Sequence, residues 1–221
     1  MRKAILRCIS LQVFLFCLVF ICQGQASSPW QSEFDKFDQL DKQNEIEDDS
    51  TILFTGSSSI RKWQHPELDF DNPHILNRGF GGSQIIDLIE NFKRIILKYH
   101  PSTVVIYSGD NDIASGKSPE VVYGDLCVFL GMLHSELPDV KVVYISIKPS
   151  IARWNIWPSM NKTNQLIKNY LVSNNLGTYV DVSALMIQNG TPDKSLFIQD
   201  GLHMNAKGYE VWKNTLTPYI K

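Results

Sequence analysis

Asp200 and His203 stand three residues apart in "QDGLHMN", just ahead of a helix-like pattern. A carboxylate at that spacing can accept the Nδ1 proton of the imidazole, which fixes the tautomer and leaves Nε2 free as a base. A base needs a nucleophile. "GSSSIRKW" offers three adjacent serines, Ser57, Ser58 and Ser59, directly after a β-rich apolar run that ends at Gly56. A serine entering a helix N-terminus presents its hydroxyl where backbone N–H groups favour developing negative charge. The plain alternative is that these serines only cap the helix. Acyl transfer also needs donors for an oxyanion. "NRGFGGSQIID" holds Gly79, Gly81 and Gly82 in a turn able to aim backbone N–H groups at an anion, or simply to turn with Ser83 as a cap. "SGDNDIASG" holds Asn111, whose amide can donate, although Asp and Asn are also common turn formers.

The elements that must position these residues follow from the hydrophobic rhythm. Five short apolar, β-rich runs, at 51–56, 74–77, 102–109, 140–147 and 177–182, predict strands. The runs at 102–109 and 140–147 are continuous, as strands buried on both faces should be. Helical patterns lie between them at 83–99, 119–137 and 158–173, and a last one at 205–217 is stopped by Pro218. Pro119 and Pro158 suit a first helical turn. Alternating strands and helices predict parallel β-α-β units in a three-layer α/β/α sandwich. In such a sheet ligands bind beyond the carboxyl ends of the strands, which is where the serine, glycine and asparagine segments fall. Ahead of this domain (51–221), residues 27–50 predict an amphipathic helix and linker. Trp30, Phe34, Phe37 and Asp41 share its stripe, and its charges are read as a solvated face.

Together the four segments resemble the SGNH hydrolase superfamily, the GDSL-like acylhydrolases, in that family's order and over nearly the whole chain after the leader. The family's Gly-Asp-Ser block matches Gly56-Ser57-Ser58, with Ser57 a departure from Asp. Its second-block glycine matches Gly82. Gly-x-Asn-Asp matches Gly109-Asp110-Asn111-Asp112, and Asp-x-x-His matches Asp200 to His203. The resemblance implies a flavodoxin-like sheet of five parallel strands, order 2-1-3-4-5. It implies an ester hydrolase with Ser58, His203 and Asp200 as its catalytic residues. Ser58 N–H, Gly82 N–H and the Asn111 amide would form the oxyanion hole, with no metal and no cofactor. The segment after the fourth strand should border the same mouth. Lys148, Arg153, Trp154 and Trp157, with Phe80 from the glycine turn, are the candidate substrate-binding residues, and packing is the alternative for the tryptophans.

Composition bounds the rest. Arg2, Lys3 and Arg7, an apolar run at 11–22, and Gly24 and Ala26 form the pattern of a signal peptide (1–26) cleaved after Ala26. Its removal takes the formal charge from −2 to −5, which disfavours nucleic acid and anionic membranes as partners. The mature chain is expected to be secreted or periplasmic, without stable membrane insertion, and to act on a small-molecule or glycan ester. Of the four cysteines only Cys127 lies beyond the leader, so an internal disulfide and a cysteine zinc site are excluded in the mature monomer; Cys127 is expected in the core. No Gly-x-Gly-x-x-Gly follows the first strand, and no Gly-Lys-Ser/Thr occurs, which excludes dinucleotide and P-loop sites.

Overall fold

The computed structural model describes residues 28–43 and 50–220. The chain divides into residues 1–32, of which 28–32 are described, and residues 33–221, which carry the fold. The expected signal segment and linker residues 44–49 lie outside the described residues. Among those described, no helix is long and apolar enough to cross a membrane.

Five strands form one parallel sheet: β1 (Ile52–Gly56), β2 (Ile75–Gly79), β3 (Thr103–Tyr107), β4 (Lys141–Ile145) and β5 (Thr178–Val180). Their order is β2-β1-β3-β4-β5, as the family resemblance implies. Side chains alternate faces along a strand. On one face Ile52, Phe54, Val105, Tyr107, Val143 and Ile145 pack in a cluster with Trp63, Trp212 and Leu216. The opposite alternates, Leu53, Val104, Ile106, Val142 and Tyr144, are buried as well, so both faces of the sheet are covered.

The helices are α1 (Gln31–Asp41), α2 (Ser58–Arg61), α3 (Pro66–Asp69), α4 (Ile85–Glu90), α5 (Phe92–Ile95), α6 (Asp110–Ala114), α7 (Pro119–Glu136), α8 (Trp157–Asn174) and α9 (Ala206–Leu216). A two-stranded hairpin, β6 (Ile187–Gln188) with β7 (Thr191–Pro192), precedes α9. The helix expected over 83–99 is broken into α4, α5 and a 3-10 turn. Asn91 causes the first break: its side-chain amide donates to the Asp87 carbonyl (2.8 Å), and its backbone leaves helical angles.

α1 corrects one expectation. Phe34 and Phe37 are buried as its stripe predicts, but its acids are not merely a solvated face. Asp41 pairs with Arg78, whose side chain is itself buried, and also with Lys98. Asp38 pairs with Arg94 and Lys98, and Glu33 with Arg61. The acidic face is therefore what holds the helix to the edge strand and its neighbours. Cys127 also departs from expectation: it is half-buried on α7 rather than a core side chain, because it lies one residue past Leu126, off the buried stripe of Val122, Leu126, Phe129, Leu130 and Leu133.

Candidate active site

The sheet order reverses between β2 and β3, with β1 in the middle. Ser58 follows β1, Gly82 follows β2 and Asn111 follows β3, so the three stand side by side beyond the carboxyl ends of adjacent strands. This is the switch-point location where open α/β sheets bind ligands.

The turn after β1 is set by close approach. Gly56 has φ +121, and a Cβ there would lie 1.9 Å from the Tyr107 carbonyl oxygen, so only glycine fits. The chain bends into α2, whose far end is held by Asn77. Its amide donates to the carbonyls of Ile60 (2.7 Å) and Trp63 (2.8 Å). The Tyr209 hydroxyl donates to the Ser59 carbonyl (2.9 Å) and ties the turn to α9. The three adjacent serines are thereby distinguished. Ser57 and Ser59 are buried, while Ser58 is half-buried and reaches the imidazole. As the first residue of α2, Ser58 keeps a backbone N–H with no intrahelical partner.

His203 arrives from the loop before α9. Asp200 Oδ1 accepts the N–H groups of Leu202 and His203, each at 2.9 Å, and Oδ2 accepts the ring Nδ1–H at 2.6 Å. In that tautomer Nε2 accepts from Ser58 Oγ, 3.0 Å away. Burial works against the charge of Asp200, but the hydrogen bonds from the His203 ring and from the two backbone N–H groups outweigh it and hold its carboxyl far below the usual range. The loop is closed by the Ile198 N–H donating to the His203 carbonyl (2.9 Å) and by Asn205, whose side chain caps α9. An arrangement of hydroxyl, imidazole and carboxylate in this chain can move a proton off Ser58 and return it to a leaving group.

Gly82, in the turn after β2, sits at φ +77 with open space where a Cβ would be, and its N–H makes no hydrogen bond among the described residues. Asn111 Nδ2 donates to the Ser83 carbonyl (2.9 Å), which leaves its second amide hydrogen for the site. Asp112, the last residue of that block, is fully buried. It accepts from the Ile85 N–H and from Lys117, so it joins the third block to the start of α4. Sequence reading missed this joint; the doubled acid of Asp110 and Asp112 around Asn111 was its only trace.

Two substrate-binding expectations are overturned. Phe80 is wholly buried and packs edge-on against Phe34, with ring centroids 5.4 Å apart. Its N–H donates to the Gly56 carbonyl, so the β1–β2 ladder runs one residue past β2 and carries the ring into the core. Lys148 is buried too. Its ammonium donates to the Leu202 carbonyl (2.7 Å) and lies over the Phe197 ring, so it braces the Asp200–His203 loop from behind. Burial pulls its pKa down to about 8 against the attraction of Asp110 and Asp200. Arg153 borders the site but is engaged by protein partners, Asp110 and Asn111. Trp154 and Trp157 are half-buried and stack on each other, 5.9 Å and 13° apart, on the same segment. Among the described residues no group of three or more His, Cys, Asp or Glu side chains is placed to hold a metal ion.

A parallel sheet in this order, flanked by helices, is the α/β fold of the GDSL-like acylhydrolases. Residues 55–211 match the model of the GDSL-like Lipase/Acylhydrolase family, and the chain belongs to that family, which makes it an ester hydrolase by class. No curated protein matches it in sequence. Its fold is similar to that of a GDSL-like lipase from Bacteroides thetaiotaomicron (TM-score 0.69, 18% identity, 85% of this chain and 96% of the other). It is similar to a lipase/acylhydrolase from Enterococcus faecalis (TM-score 0.65, 20% identity, 77% of this chain and 95% of the other). It is also similar to a mutant of an acetyl-xylooligosaccharide esterase from Geobacillus Stearmophilus (TM-score 0.60, 15% identity, 77% and 94%).

Proposed function

We propose that this chain is an exported esterase that removes short acyl groups, acetyl above all, from carbohydrate esters through an acyl-enzyme on Ser58. The observation that carries the reading is the continuous relay from Ser58 Oγ through His203 (3.0 Å) to Asp200 (2.6 Å). Nε2 of His203 takes the hydroxyl proton as Oγ attacks the ester carbonyl. Asp200 holds the ring tautomer and stabilises the imidazolium. The N–H groups of Ser58 and Gly82 and the Asn111 amide receive the oxyanion. The imidazolium then protonates the leaving alcohol. Water, deprotonated by the same nitrogen, attacks the acyl-enzyme and releases the carboxylic acid and free Ser58.

Export rests on the signal pattern of residues 1–26. The carbohydrate alcohol is supported by the half-buried Trp154–Trp157 pair on the segment beside Asn111, since aromatic faces stack on sugar rings. The Geobacillus neighbour, an acetyl-xylooligosaccharide esterase, supports the same class. The test is hydrolysis of p-nitrophenyl acetate, butyrate and octanoate beside acetylated xylo-oligosaccharides, by the chain from Ser27 onward. Falling rates with acyl length, together with acetate release from the oligosaccharides, are expected. A preference for octanoate would overturn the short-acyl assignment.

A further inference from the structure

The segment after β4 touches both halves of the site. Lys148 and Ala152 bond to the loop that carries Asp200 and His203: Lys148 donates to the Leu202 carbonyl, and the Ala152 N–H to the Gly201 carbonyl at 3.0 Å. Arg153 reaches the other way. One guanidinium nitrogen donates to Asp110 Oδ2 (3.0 Å) and the other to Asn111 Oδ1 (3.0 Å). Asp110 is buried, and its second oxygen faces the Ser57 hydroxyl at 3.4 Å. Ser57 stands where the family's first block has Asp, so in this chain the carboxylate next to that block comes from the third block instead, with Arg153 as its counter-ion.

The contact with Asn111 decides more than packing. An Asn side chain has a carbonyl end and an amide end, and only the amide end can donate to an oxyanion. Asn111 Nδ2 faces the Ser83 carbonyl, and Oδ1 faces the Arg153 donor. Turning the amide over would set two acceptors against each other at Ser83 and two donors against each other at Arg153. Both anchors therefore select the same orientation. A cation donating to Oδ1 also polarises the amide and strengthens its N–H as a donor.

We propose that Arg153 is a positioning residue for the oxyanion site: clamped by Asp110, its guanidinium fixes the Asn111 amide in the donating orientation and polarises it. Arg153 acts through Asn111 and leaves recognition of the substrate to other groups. The inference rests on Asn111 being an oxyanion donor.

The test is a double-mutant cycle on p-nitrophenyl acetate with Arg153→Lys and Asn111→Ala. Lysine keeps a positive charge opposite Asp110 but lacks the two-pronged fork that reaches both partners. Arg153→Lys is expected to lower kcat by about 10- to 100-fold, less than the loss of the donor itself, with KM changed by no more than about two-fold. In the Asn111→Ala background the same change should cost almost nothing, because the group it positions is gone. The pair Asp110→Asn with Arg153→Met removes the buried carboxylate together with its counter-ion, so it tests the same loss if the lysine variant folds poorly. An undiminished loss in the Asn111→Ala background, a raised KM at unchanged kcat, or normal turnover by Arg153→Lys would each overturn the proposal while leaving the oxyanion assignment intact. Unchanged turnover by Asn111→Ala alone would instead remove that assignment and this inference with it.

Discussion

Asp200→Asn should remove nearly all turnover while leaving the fold in place, and the hydrogen bonds around Asp200 say why. Oδ1 accepts two backbone N–H groups, from Leu202 and His203. An asparagine at 200 keeps those bonds only by placing its own carbonyl oxygen at the Oδ1 position. Its NH2 then falls where Oδ2 now lies, 2.6 Å from His203 Nδ1. A donor at that point forces Nδ1 to accept, which moves the ring proton to Nε2. Nε2 then has no lone pair for Ser58. Wrong-tautomer substitutions of this type in serine hydrolases cost about 10,000-fold in kcat, equivalent to about 5.5 kcal/mol of barrier. The Asp200 side chain is 42% exposed, so stability should change little. Steady-state hydrolysis of p-nitrophenyl acetate, with a thermal melt on the same sample, measures both. A folded variant that retains turnover within about ten-fold of wild type would refute the tautomer argument.

Other consequences can be checked alongside. Phe80→Ala should cost about 3–5 kcal/mol in urea unfolding, as expected for emptying an aromatic core site, with KM essentially unchanged; a raised KM at normal stability would return Phe80 to the substrate. Asp41→Ala strands the buried Arg78 guanidinium and should destabilise by about 3–5 kcal/mol, whereas a merely solvated helix face would give almost no change in the urea midpoint. For Lys148, the folded pKa of about 8 lies below the ordinary 10.5, so between these values the folded chain has released a proton that the unfolded chain still holds. Stability should therefore rise with pH across that window, by at most about 3 kcal/mol. Urea midpoints at about pH 7.5 and about pH 9.5 should show the rise in wild type and a flatter response in Lys148→Met; equal slopes would place the cause elsewhere.

What the sequence showed was mostly local. A glycine ending an apolar run and polar residues directly after it placed Ser58, Gly82 and Asn111 beyond the strands, because strand, turn and site are contiguous there. Asp200 and His203 were legible because a three-residue spacing needs only one loop to bring them together. The relations that sequence hid are long-range. Arg153 meets Asp110 and Asn111 across more than forty residues, and nothing in "SIARWN" distinguishes a guanidinium held by protein from one facing a ligand. Lys148 looked exposed by type, since lysines seldom lie fully buried, and only the carbonyl of Leu202 explains it. Phe80 was misplaced because a glycine on each side suggested a free loop, while the sheet ladder in fact continues through it. The acids of α1 looked like solvated charge because their partners, Arg61, Arg78, Arg94 and Lys98, arrive later in the chain.

Of the three adjacent serines, Ser58 rather than Ser57 or Ser59 should be the nucleophile activated by His203. Labelling with a fluorophosphonate, followed by peptide mass mapping, identifies the reactive hydroxyl. One adduct is expected, on Ser58, lost in Ser58→Ala and strongly slowed in His203→Ala. An adduct on a neighbouring serine, or labelling of Ser58 at an undiminished rate without His203, would contradict it.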